Sequence, residues 1–149
     1  MRLFFVLLMA VSGFCIALQV PINSRLRVAV ESPVLSATIS FVVGGVLLLL
    51  IAALGLLGGM GTGWAGMKTA PVWSYLGGVC GACYVLCAIL AISRVGAAVT
   101  IASAIFGQQV ASLLVDTFGW FGVTRVAPTP TRLLGALLLF AGVLLMQRK

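Results

Sequence analysis

The sequence predicts an all-α, polytopic membrane protein of five transmembrane helices, and three observations lead there. Hydrophobic residues make up 62% of the 149 and charged residues only 7%, against about 25% charged in soluble domains. The apolar residues gather into five runs, over approximately 3–23, 34–57, 72–92, 98–115 and 131–149, each near the ~20 residues a helix needs to cross a bilayer. Together they make a single transmembrane domain over 1–149, with the lipid bilayer as its first partner. The basic residues stand at the ends of these runs. Arg2, Lys68, Arg125 and Arg132 fall on the N-terminal side and Arg25, Arg27, Arg94, Arg148 and Lys149 on the other, four against five. Because excess Lys and Arg in short loops sets orientation, this near tie leaves both directions of insertion open. It predicts a dual-topology, antiparallel homodimer of ten helices. The net charge of +7 comes from scattered interfacial anchors instead of one basic patch, so no nucleic-acid partner is expected.

The first run carries Arg2 ahead of Leu3 to Leu18, as a secretory signal would. It is long for such a segment and no small-x-small cleavage site follows, so a retained helix is expected. Pro21, which lacks a backbone donor and frees the carbonyl of Ala17, marks its end. Ser12, Cys15, Gln19 and Asn23 are spaced 3, 4 and 4 apart and share one helix face. That face either packs on a neighbour or walls a cavity, and Gln19 is its best candidate because a buried amide needs partners.

A loop from Ser24 to Pro33 leads to the second helix, with Pro33 in the favoured first turn. Ser36, Ser40 and Gly44 recur every four residues and form a small-residue ridge for close helix approach. Phe41 beside it faces lipid or a cavity. The glycines at 58, 59, 61, 63 and 66 form a flexible connection; without a GK[ST] ending in a strand-to-helix setting they do not make a phosphate loop. Trp64 and Trp73 fit the aromatic belt at the membrane interface.

The third run contains Gly77-x-x-x-Gly81 and Gly78-x-x-x-Ala82, which place it inside the bundle. Tyr84 follows on the same general face and should find a hydrogen-bond partner. Cys80, Cys83 and Cys87 share a stripe of this helix. The Cys80-Gly-Ala-Cys83 spacing resembles a redox or metal pair, but the chain has no histidine and no second pair to complete a zinc site. Small polarisable packing residues are the expected role, with no metal and no cofactor.

Residues 93–97 form a tight hairpin into the fourth run, the most informative of the five. Gln109, Ser112 and Asp116 are spaced 3 and 4 apart with Gln108 adjacent. Two neighbouring amides in mid-span must face protein or water. Asp116, at the end of this helix, pairs with Arg125 or Arg132, or serves proton coupling. An ordered interfacial loop from Thr117 to Thr131 precedes the last helix, where Gly135 and Gly142 offer packing positions.

Gln19-x-Pro21-x-Asn23, Ser40-Phe41-x-x-Gly44, and above all Gly107-Gln108 followed by Ser112-Leu113-x-x-Asp116-x-Phe118-Gly119 resemble the YdcZ-like family, a five-helix branch of the drug/metabolite transporter superfamily. The resemblance covers nearly the whole chain. It implies a half-transporter unit, paired antiparallel in the inner (cytoplasmic) membrane, with a solute site near the midplane between inverted units. The small multidrug transporters of that superfamily carry a glutamate in their first helix; here no acid occupies it, which speaks against their cation/proton exchange. The expected function is transport of a small neutral or zwitterionic solute by alternating access. The expected site comprises Gln19, Asn23, Ser40, Tyr84, Gln108, Gln109 and Ser112, with Asp116 for proton coupling or an ion pair. A passive dual-topology channel and a non-transporting membrane subunit are the alternatives, and no nucleophile and base pair suggests an enzyme.

Overall fold

Helix α1 covers Arg2–Val30 and continues through Pro21 instead of ending beside it. Proline removes one N–H, yet Arg25, Leu26, Arg27 and Ala29 after it are good helix formers. In hydrocarbon, ending the helix would release more backbone groups than the single bond Pro21 forfeits. The expected loop from Ser24 to Pro33 therefore shrinks to a turn at Glu31 and Ser32, with Glu31 at φ +54°. Ser32 caps the next helix by accepting the N–H of Leu35 at 3.1 Å, and Pro33 opens it. Helix α2 covers Pro33–Ala53, short of the expected end at 57.

The computed structural model describes residues 2–56 and 66–147, without the side chain of Arg2. The glycines at 58, 59, 61 and 63, Trp64, Arg148 and Lys149 lie outside the described residues. On the far side of that connection the Tyr75 hydroxyl donates to the Met67 carbonyl at 2.7 Å, and a short 3-10 turn at Val72–Tyr75 leads into the next helix.

Helix α3 covers Leu76–Phe118 with one interruption, Gly96 at φ 80° and ψ 168°. This conformation is open essentially to glycine alone. At about 1.5 Å per residue a 43-residue helix would extend about 65 Å, twice a hydrocarbon core of ~30 Å. Where a hairpin over 93–97 is expected, the backbone departs from helical geometry at one residue, Gly96. Helix α4 covers Pro130–Gln147. Among the described residues, four helical stretches are long and apolar enough to cross a membrane, Leu3–Val30, Pro33–Ala53, Val72–Phe118 and Pro130–Gln147.

The chain divides into two units, 1–90 and 91–149, and the division falls inside α3. In the first, Ala37 of α2 meets Val85 and Ile89 of α3, with Tyr84 against them. Phe41 settles over Gly81, where an added Cβ would stand 3.3 Å from its ring. The glycine earlier identified as a close-packing residue is therefore used. Gly44, Gly77 and Gly78 have open space within 4 Å, so these three glycine positions of the small-residue ridges are not engaged within the unit. In the second unit, Phe106 and Phe140 join α3 to α4 with ring centroids 5.0 Å apart.

Candidate functional site

In the first unit the polar residues of α1 and α2 converge on one hydroxyl. Gln19 Nε2 and Asn23 Nδ2 both donate to Ser40 Oγ, each at 3.2 Å. Antiparallel pairing of α1 with α2 across the two-residue turn sets this register, because Gln19 and Asn23 lie one helical turn apart and face Ser40 together. Ser36, one turn before Ser40, is fully buried and donates to the Asn23 carbonyl at 2.7 Å. Tyr84 reaches the same place from α3, where it lines a seam with Gln19, Val20, Asn23, Val85 and Ile89 that has no room for a water molecule. Four expected site residues, Gln19, Asn23, Ser40 and Tyr84, are thus brought together, in a closed and dry arrangement.

The remainder of the expected polar face of α1 is not drawn in. Ser12 donates to the Leu8 carbonyl of its own helix at 3.0 Å, and Cys15 is exposed. Arg27 takes part where the sequence suggested only an interfacial anchor: its Nη1 donates to the Ile89 carbonyl at 3.4 Å. Ser36 was legible as part of the Ser36, Ser40 and Gly44 ridge. Its bond to a backbone carbonyl depends on which helix meets that ridge, which spacing alone does not say.

The second unit holds the other expected residues. Gln108 and Ser112 are exposed on α3, Gln109 is half-buried, and within the unit none of the three side chains makes a hydrogen bond. Beyond them Asp116 Oδ2 accepts Arg132 Nη1 at 3.0 Å, both groups being partly exposed. Arg125, the other expected partner, donates instead to the Thr117 carbonyl at 3.3 Å, while Val126 N–H closes on the Asp116 carbonyl at 2.9 Å. Gly119 makes this fold-back possible. It sits at φ +65°, and an added Cβ would collide with Arg125 Cγ at 2.5 Å. Thr129 caps α4 by accepting the Arg132 N–H at 3.3 Å, which fixes where Arg132 emerges.

The larger cavities lie elsewhere. One apolar groove of ≈ 620 Å³ runs between α2 and α3 past Ala37, Phe41, Val79 and Cys83, and another of ≈ 590 Å³ runs past Phe106, Leu113, Phe118 and Phe140. Their walls suit acyl chains better than a polar solute. All four cysteines, expected as small packing residues, are free and exposed, and among the described residues no group of His, Cys, Asp and Glu could hold a metal ion.

Long apolar helices with hydrogen-bonding side chains gathered between two of them define a multi-pass membrane protein. Residues 4–145 match the family described as "Putative inner membrane exporter, YdcZ", and the chain belongs to that family. It is accordingly an inner-membrane, multi-pass transporter. No curated protein and no solved structure matches it.

Proposed function

We propose that the protein exports a small neutral or zwitterionic solute, as a dual-topology antiparallel homodimer that works by alternating access. In this reading the break at Gly96 separates two spans, which makes five spans per chain and ten in the pair. The solute path draws on Gln19, Asn23, Ser40 and Tyr84 of one unit and on Gln108, Gln109 and Ser112 of the other.

The observation that carries the proposal is the contrast between the two amide groups. Gln19 and Asn23 each donate to Ser40, whereas Gln108 and Gln109 have no hydrogen-bond partner within their unit. An amide in an apolar span must face protein, water or solute. Amides and hydroxyls offer matched donors and acceptors without net charge, which suits neutral and zwitterionic solutes. Opening the path at the first cluster then exchanges the bonds to Ser40 for bonds to solute.

Counterflow into proteoliposomes, run against a panel of neutral and zwitterionic metabolites, tests this. Saturable exchange is expected, with Gln108→Leu and Gln109→Leu each lowering it about tenfold or more, the weight of one or two lost hydrogen bonds, at unchanged membrane insertion. Fast, non-saturating, voltage-sensitive flux would identify a channel, and undiminished exchange in both variants would remove Gln108 and Gln109 from the path.

A further inference from the structure

One cavity of the second unit differs from the two apolar grooves. It measures ≈ 560 Å³ and lies where the break in α3 meets the end of α4, lined by Arg94, Val95, Gly96, Val99, Met146 and Gln147. Its walls combine a guanidinium and a carboxamide with three apolar side chains. Among the described residues Arg94 makes no ion pair and no hydrogen bond, and neither acid of the chain, Glu31 or Asp116, stands in the lining. In the sequence, two further basic residues, Arg148 and Lys149, follow Gln147.

Depth in the bilayer points to the ligand. The 18 residues of α4 rise about 27 Å, close to one hydrocarbon thickness of ~30 Å. A helix of this length that starts with Pro130 at one edge of the hydrocarbon would bring Gln147 to the other edge, next to the headgroups. A planar guanidinium offers a fork of donors that matches the paired oxygens of a phosphate. Val95, Val99 and Met146 offer the apolar contact that a glycerol backbone and the first methylenes of an acyl chain would fill.

We propose that this cavity binds the phosphodiester headgroup of an anionic phospholipid, with Arg94 on the phosphate oxygens and Gln147 on the headgroup hydroxyls. The site is separate from the amide clusters, and nothing in it requires transport. In a dual-topology pair, one copy would present it to each leaflet.

The test uses the full-length protein in neutral detergent, with thermal unfolding and native mass spectrometry as readouts. Phosphatidylglycerol and phosphatidylcholine of identical acyl chains are the probes, with inorganic phosphate as the soluble comparison. Phosphatidylglycerol should raise the unfolding temperature and remain bound where phosphatidylcholine does not. Arg94→Gln should weaken its retention about fivefold, the weight of one basic side chain at an anionic surface. Arg94→Lys should restore part of the loss, and Arg125→Gln, which lies outside the cavity, should leave retention unchanged. Equal responses to the two lipids, or an Arg94→Gln protein that retains phosphatidylglycerol like the wild type, would overturn the proposal. So would a full response to inorganic phosphate alone, which would assign the site to a soluble anion.

Discussion

Ser40 is the residue on which the first polar cluster turns. Its single oxygen accepts from two amides at 3.2 Å, so Ser40→Ala removes two interhelical bonds in one step. Such bonds contribute roughly 0.6 kcal/mol each in bilayers, so a loss of about 1 kcal/mol is expected in reversible unfolding in micelles. An unaltered stability would mean that Gln19 and Asn23 find other acceptors. Asp116 and Arg132 make the second test. Both are partly exposed, so the pair contributes about 1 kcal/mol or less. A double-mutant cycle with Asp116→Asn and Arg132→Gln should yield a coupling of that size, whereas the cycle of Asp116→Asn with Arg125→Gln should yield none. If Asp116 also carries protons, Asp116→Asn should abolish proton-driven solute uptake; unchanged coupling would confine Asp116 to the ion pair. The acid and both of its possible partners were visible in the sequence. The choice between them was not, because it depends on Gly119 turning Arg125 back over Thr117 while Thr129 sets the start of α4.

At the scale of elements, apolar runs located the helices but misplaced several of their ends. Pro21 suggests a terminus in the sequence, yet the helix passes through it. A bilayer penalises a frayed backbone more than it penalises one missing N–H. The break at Gly96 shows the opposite case, in which a five-residue hairpin was expected and one glycine in an unusual conformation stands there. Gly96→Ala should destabilise the protein by about 1–3 kcal/mol, since the observed φ and ψ exclude a Cβ at low energy. Circular dichroism would show whether the variant keeps its helical content while its unfolding midpoint falls. A neutral outcome would mean that the chain passes this point as ordinary helix. The GxxxG spacings were only partly informative. Gly81 receives Phe41, whereas Gly77 and Gly78 lie open, because a small-residue motif permits close approach without naming the helix that approaches.

For the whole molecule, the near tie of basic residues remains the strongest topological statement. Reporter fusions at Lys149 should give signal from both sides of the membrane, and adding two lysines beside Lys68 should drive the population toward one orientation. A signal from one side only in the wild type would defeat the dual-topology proposal. Hydropathy and the family motif around Gln108, Ser112 and Asp116 were legible in the sequence. They led to a multi-pass inner-membrane transporter because each is a sum or a spacing along the chain. Only the tertiary structure decided that Ser40 is shared by two amides, that Arg132 holds Asp116, that Arg27 reaches the Ile89 carbonyl, and that Gln108 and Gln109 have no partner within their own unit. Those outcomes depend on which helix faces meet, and a linear pattern of apolar and polar residues determines that a face exists without determining what lies opposite it.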